Sequence, residues 1–249
     1  MNEYGEFIKK DSIITPKYSI EIFIETINTI VKDFQNNYFL SGIALSMPGA
    51  VDVKEGCIGG GSAIPYIHGP NIKKLLQDKT KLRVELENDG NCAGLAEGWI
   101  GAAKDVKDYV CIVLGSGVGG AIVLDRKIHH GKNLHGGEFG DMIMENYLDQ
   151  QIGENWNSLA ATAGLVSQVA KRKRKAEWTL DGKKVFEMED NGDEKVKDEI
   201  EKFLKRLAVG IFNIQYVIDP EKILIGGAIS ERHDLIERIN EKLKLMKKG

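Results

Sequence analysis

Tyr109-Val110-Cys111-Ile112-Val113-Leu114-Gly115-Ser116-Gly117-Val118-Gly119-Gly120-Ala121-Ile122-Val123-Leu124 is the stretch on which the reading of the chain turns. Its two apolar runs, 109–114 and 121–124, have the length and β-branched content of strands. Between them lie Gly115-Ser116-Gly117-Val118-Gly119-Gly120. A dinucleotide-binding fingerprint needs a helix straight after its glycines, and here a strand follows. A Walker loop needs a closing Gly-Lys-Ser/Thr, which is absent. What remains is a Gly-rich turn from strand to strand. Such a turn can cradle phosphate oxygens on its backbone N–H groups, or it can be a plain hairpin.

Upstream of this stretch, strands and helices alternate, an α/β pattern. A short strand is expected over 4–8. Ile20, Phe23, Ile24, Ile27, Ile30, Val31 and Phe34 recur at steps of three and four, predicting a helix over 19–34 with Ser19 as N-cap. Strands are expected over 39–47 and 83–86, a short helix after Gly69-Pro70, and a small-residue helix over 91–99. The polar stretch 104–108 marks a division into 1–104 and 105–249. Downstream, Asn157 is read as capping a helix that ends in the basic run 171–175. A long helix over Glu194–Ile218 carries the stripe Val196, Ile200, Phe203, Leu204, Leu207, Ile211, Ile214 and Val217, and stops at Asp219-Pro220. A strand at 222–225 and a terminal helix at 235–246 follow.

Composition excludes several classes. The 34 Lys and Arg against 37 Asp and Glu leave a net charge of −3, which offers no global field for nucleic acid or an anionic membrane. No run approaches the ~18 apolar residues of a transmembrane helix, and no secretory signal is evident. Cys57, Cys92 and Cys111 read as reduced thiols of a cytoplasmic protein. The basic run 171–175 reads as a solvated helix end, where positive charge complements the helix dipole. The five histidines are scattered and no Cys-x-x-Cys pair is present, so no metal spacing is seen.

Two further constellations could carry chemistry. Glu87-Asn88-Asp89-Gly90-Asn91 sits where a strand ends and a helix begins. Asp89 there is either a helix N-cap or a carboxylate directed into a ligand site. Gly136-Gly137-Glu138-Phe139-Gly140-Asp141 sets two acids among three glycines. It is either a polar surface loop or a backbone that approaches a ligand while its acids accept hydroxyl hydrogen bonds.

Taken in order, four segments resemble the ROK family of sugar kinases, within the actin-like ATPase superfamily. Met47-Pro48-Gly49-Ala50-Val51-Asp52 looks like the family's Pro-Gly-x-Val-Asp turn. Glu87-Asn88-Asp89-Gly90-Asn91-Cys92-Ala93 is similar to its catalytic Glu-Asn-Asp-x-Asn-Ala-Ala segment. Gly115 to Gly120, Gly131 and Gly137-Glu138-Phe139-Gly140 look like its second phosphate loop and sugar motif. Ile223-Leu224-Ile225-Gly226-Gly227-Ala228-Ile229-Ser230 resembles the strand and loop near the adenosine.

The resemblance, to glucokinase-like and N-acetylmannosamine kinase-like members, covers nearly the whole chain. It implies an α/β, two-lobed actin-like ATPase (ribonuclease H-like) fold. It implies an ATP-dependent kinase for a hexose, an N-acyl-hexosamine or a glycoside. Asp89 would be the catalytic base. Asn88, Glu138, Asp141 and Asn157 would hold the sugar. Gly115, Ser116, Gly117, Gly119, Gly120, Gly226 and Gly227 would hold ATP, with Mg²⁺. The partners implied are the sugar and ATP, with neither nucleic acid nor membrane, and a homodimer is compatible with the reading.

The chain departs from the family in places. Asp141 stands where the family's zinc-binding histidine is expected, and 142–157 contains no cysteine, so no zinc is expected. Asn157, before Ala160-Ala161-Thr162, takes the place of a second sugar-binding Glu, and Ala63 that of an Asn before Leu-Pro. Family members begin with a strand and an Asp-x-Gly-Gly-Thr loop. Here Met1-Asn2-Glu3-Tyr4-Gly5-Glu6 looks like the turn after that region. The expectation is therefore a chain lacking the first phosphate-loop strand and cut short after Gly249, poorly soluble or oligomeric and slow in turnover. The rival reading is a non-catalytic sugar-binding or regulatory remnant. A ROK repressor would need a helix-turn-helix before Met1.

Overall fold

The structure, a computed structural model, describes residues 1–145 and 154–247. By contacts it divides into two compact units. The first is Met1–Cys92 with Gly131–His135, and the second is Ala93–His130 with Gly136 onward. The polar stretch 104–108 lies inside the second unit.

In the first unit, α1 (Ile20–Gln35) starts at Ser19, whose hydroxyl accepts from the Ile22 N–H at 3.3 Å. It is followed by β1 (Ile43–Met47), β2 (Ala50–Asp52), β3 (Cys57–Gly59), α2 (Ile72–Thr80) and β4 (Val84–Asn88). β2 and β3 form an antiparallel hairpin. β1 and β4 pair in parallel, from Ile43 opposite Val84 to Met47 opposite Asn88. Parallel pairing brings both C-terminal ends together, so Pro48-Gly49 and Asp89 leave the pair at the same end. Phe23 and Ile24 of α1 and Ile72 and Leu76 of α2 pack with Met47, Val84 and Leu86 in one core.

Two expectations fail in this unit. The residues expected as a strand over 4–8 form a turn instead, with the Asn2 carboxamide oxygen accepting from the Tyr4 and Glu6 N–H groups. Phe7 and Ile8 stay exposed there. β1 also begins later than residue 39, and Phe39 is 95% exposed. An apolar residue with neither partner strand nor core gains nothing from extended geometry.

The second unit begins within α3 (Asp89–Trp99). It continues through β5 (Tyr109–Leu114), β6 (Val118–Leu124), β7 (Lys127–Ile128), β8 (Ile143–Glu145), β9 (Glu154–Asn155) and α4 (Trp156–Ala160). Then come α5 (Thr162–Lys173), α6 (Gly182–Asp190), α7 (Glu194–Ile218), β10 (Lys222–Gly226) and α8 (Leu235–Met246). The main sheet has the order β10-β5-β6-β7, with β10 parallel to β5 and the other pairs antiparallel. β5 is covered on both faces, which is why it reads as a continuous apolar run. Val110, Ile112 and Leu114 join the large core formed with α7, while Tyr109 packs with Ala103 and Val123. Burial pushes the Cys111 thiol up to about 11, so it serves as a small apolar side chain.

α7 matches its expected bounds. Asp193 caps it and its stripe is buried from Val196 to Ile214. The last expected member, Val217, is 79% exposed. Asp219, left-handed at φ 50°, ends the helix before Pro220. The single helix expected from Asn157 is instead two. Asn155 is the cap, accepting from the Ser158 N–H at 3.0 Å, and extended backbone at Ala161 separates α4 from α5. α6, the β2–β3 hairpin and the short strands β7 to β9 carry no periodicity long enough to be read in advance. Among the described residues no helix is long and apolar enough to cross a membrane.

Candidate functional site

In the first unit, β4 runs into α3 without a break. Asn88 closes the helix, its Oδ1 accepting from the Asn91 N–H at 3.1 Å. Its Nδ2 donates to the Gly49 carbonyl at 3.1 Å, tying the start of α3 to the turn after β1. Each end of this amide thus makes one backbone bond, so Asn88 caps α3 as well as standing where a sugar ligand is expected. Glu87 Oε1 accepts from the Asn88 N–H at 2.7 Å and from Asn91 Nδ2 at 3.0 Å.

Asp89 is exposed, the first residue of α3, with one carboxylate oxygen 2.8 Å from the Gly90 N–H. The cap that Asp89 might have supplied comes from its neighbour. A negative charge at a helix N-terminus is also favoured by the dipole.

His68, which the sequence reading passes over, closes the adjoining loop. Its Nδ1 lies 3.2 Å from the Gly59 carbonyl and its Nε2 2.8 Å from the Ser62 hydroxyl. Donation from Nδ1 to the carbonyl makes Nε2 the acceptor for that hydroxyl. Gly49, at φ 99°, packs against this ring: a Cβ there would sit 3.2 Å from His68 Cε1.

In the second unit the Gly-rich turn is shorter than expected. Only Gly115-Ser116-Gly117 lies between the strands, with the Gly115 N–H donating to the Gly117 carbonyl at 2.9 Å. Gly119 and Gly120 belong to β6, opposite Val113 and Ile112. None of these four glycines has positive φ, so space decides their identity. A Cβ at Gly120 would overlap the Cys111 carbonyl oxygen, and one at Gly117 would come within 2.9 Å of Asn157 Oδ1. At Gly115 and Gly119 nothing lies within 4 Å of such a Cβ, so the backbone is open to a ligand there. The Ala163 N–H, in the first turn of α5, reaches the Gly115 carbonyl at 3.4 Å. The positive end of the α5 dipole therefore lies at this turn, which favours anions. Gly226 ends β10, and Gly227, at φ 92°, sits where a Cβ would overlap the Leu114 carbonyl oxygen.

Glu138 and Asp141 are exposed on either side of buried Phe139 and Gly140. Phe139 packs under Gly120, and Gly137, at φ 92°, passes close to the Gly120 carbonyl. Asn157 joins this turn to the hairpin. Its Oδ1 accepts from the Val118 N–H at 2.7 Å, and its side chain fills the space a Cβ at Gly140 would need. Sequence reading makes Asn157 a sugar ligand, and in the structure its oxygen also braces the hairpin. In the same unit, a shallow, open depression of about 480 Å³ is lined by Gly115, Ser116, Thr162, Trp178, Gly227 and Ala228, among others.

The structure thus groups Gly115, Ser116, Gly117, Gly119, Gly120, Glu138, Asp141, Asn157, Gly226 and Gly227 in the second unit, and Asn88 with Asp89 in the first. Trp178 went unread because a lone aromatic between helices carries no pattern.

The chain is 33% identical over 209 residues to a beta-glucoside kinase of Listeria monocytogenes, covering 84% of this chain and 71% of that one. It is 27% identical over 252 residues to an N-acetyl-D-glucosamine kinase of Vibrio cholerae, covering 94% of this chain and 81% of that one. The crystal structure of a ROK family protein from Streptococcus pneumoniae in complex with sucrose superimposes with a TM-score of 0.87 at 34% identity. It covers 99% of this chain and 81% of that one. The fold is accordingly the α/β fold of ROK proteins, of the actin-like ATPase type. The ROK family model matches residues 1–247, and with the four ordered motifs on their strand ends and turns the chain belongs to the ROK family.

Proposed function

We propose that the protein is a sugar kinase, transferring the γ-phosphoryl group of ATP to a hydroxyl of a hexose, an N-acyl-hexosamine or a glycoside. The observation that carries this reading is the division of labour at the start of α3. Asn88 does the capping, and Asp89 is left exposed with a single local hydrogen bond. A carboxylate so placed can take the proton from an attacking hydroxyl, as a general base does.

The phosphates of ATP would lie along Gly115, Ser116, Gly117 and the open side of Gly119, next to the α5 N-terminus. Gly226 and Gly227 would sit on the nucleoside side. Gly120 supports the turn from below. Bound with the nucleotide, Mg²⁺ supplies neutralisation of phosphate charge. Glu138 and Asp141 would orient the sugar, since carboxylates accept from hydroxyl groups. Asn88 and Asn157 would act as braces for the two segments. The named activities of relatives on beta-glucosides and N-acetyl-D-glucosamine support this substrate class.

Asp89→Asn tests the proposal in steady-state kinetics run beside a thermal melt. The amide cannot take up the proton, so turnover should fall by roughly 10²–10⁴, the usual contribution of a positioned base. Sugar and ATP affinities should change little. The melt should move by no more than about a degree or two, because Asn88 caps the helix and Asp89 adds only its charge to the dipole. Retained turnover refutes the assignment.

A further inference from the structure

Trp178 is the most exposed of the three tryptophans, at 89%. Exposure alone does not distinguish it, since Phe39 and Tyr18 are similarly exposed; its place does, beside Gly115, Ser116 and Gly227. It is held on a firm mount, the single 3-10 turn Glu177–Thr179 between α5 and α6. The Thr179 N–H bonds the Ala176 carbonyl and the Leu180 N–H bonds the Glu177 carbonyl, both at 3.0 Å. Lys184 Nζ adds a bond to the Thr179 carbonyl at 3.1 Å. Asp181 then caps α6 through the Lys184 N–H at 2.8 Å.

This turn forms one side of the open 480 Å³ depression that Gly115, Ser116, Gly227 and Ala228 also line. The volume falls within the range of small-molecule sites. Beside the same depression the Thr162 hydroxyl is buried with no hydrogen-bond partner among the described residues. Buried hydroxyls normally have one, and this leaves a polar group for a ligand to satisfy.

We propose that Trp178 is a stacking platform for the base of the nucleoside triphosphate donor and sets the protein's preference for a base-bearing donor over a bare polyphosphate. The inference rests on the kinase reading, and it assigns a residue that the reading does not need. An indole face offers stacking area on a preformed turn, so little conformational freedom is lost when a base docks. The triphosphate of such a ligand would point toward Gly115 and Ser116, across the depression.

The test titrates magnesium ATP and magnesium tripolyphosphate separately into the full chain, Trp178→Ala and Trp178→Phe. Loss of one base-stacking contact should weaken ATP binding about tenfold in Trp178→Ala, with tripolyphosphate affinity held within about twofold. Trp178→Phe should restore most of the ATP affinity. Unchanged ATP binding in Trp178→Ala overturns the proposal, as do equal losses for both ligands, which would mark a structural role. Failure of the unsubstituted chain to bind ATP also overturns it. Sugar-dependent ADP release by the unsubstituted chain, measured with glucose, cellobiose and N-acetylglucosamine, tests the kinase reading independently. Trp178-dependent ATP binding without that release would overturn the kinase reading and leave the platform standing.

Discussion

The start of α3 and the Gly115–Gly117 hairpin solve the same problem by different means. Each lies at the end of a parallel strand pair, and each is held by one asparagine that reaches a backbone group far off in sequence. Asn88 donates to the Gly49 carbonyl, and Asn157 accepts from the Val118 N–H. At α3 the bracing leaves a carboxylate, Asp89, displayed beside it. At the hairpin it leaves backbone displayed, because Gly115 and Gly119 carry no side chain into open space. The first region would act through a titratable group, whereas the second would act through geometry and dipoles. A substitution should therefore impair the first by changing chemistry and the second by adding atoms.

After Asp89→Asn, the largest expected effect belongs to Gly120→Ala. The new methyl overlaps the Cys111 carbonyl oxygen and Phe139, and overpacking of this kind costs about 1–3 kcal/mol. A chemical melt should show that loss. Gly119→Ala, with nothing in its way, should melt like the parent and weaken only ATP binding. If both substitutions destabilise alike, the division of the glycines into packed and open ones is wrong.

Asn88→Ala comes next. It removes a cap and the bond to Gly49, each worth about 1 kcal/mol. The melting temperature should drop by several degrees, roughly 2–4 °C per kcal/mol at this chain length. Asp89→Asn, which loses only a charge favoured by the dipole, should move it by less than half as much. A reversal of that pair would return the capping role to Asp89.

Glu138→Gln keeps shape and removes charge from the sugar contacts. Sugar binding should weaken roughly five- to tenfold, the difference between charged and neutral hydrogen bonds, while ATP binding holds. Equal losses for both ligands would make Glu138 part of the hairpin's support. The smallest effect, none, is expected from chelation. Asp141 replaces the histidine and 142–157 supplies no cysteine, so desalted protein should carry no stoichiometric zinc in elemental analysis. A chelator should leave its melt unchanged.

Much of this was legible beforehand, for identifiable reasons. α7 could be bounded closely because its stripe repeats over about six turns and Asp219-Pro220 ends it. The doubly covered β5 could be read because a continuous apolar run bounded by glycine has few other uses. The 4–8 segment looks like a strand because a few apolar residues after a glycine do so whether or not anything pairs with them. The break at Ala161 and the cap at Asn155 were missed because Asn155 and Asn157 are equally good caps in isolation. Trp178 was passed over because exposure is not written in residue type.

By itself the sequence determined the main strands β1, β4, β5, β6 and β10, the long helices, the family, and which residue types stand at strand ends: periodicity and turn chemistry are local properties of the chain. Only the tertiary structure decided what each of those residues is occupied with. It assigned Asn88 to the cap and Asn157 to the hairpin, left Asp89, Glu138 and Asp141 exposed, and separated Gly117, Gly120 and Gly227, which have no room for a methyl, from Gly115 and Gly119, which do. The Asn88–Gly49 and Asn157–Val118 bonds each join segments 39 residues apart in the chain, and no local pattern encodes them.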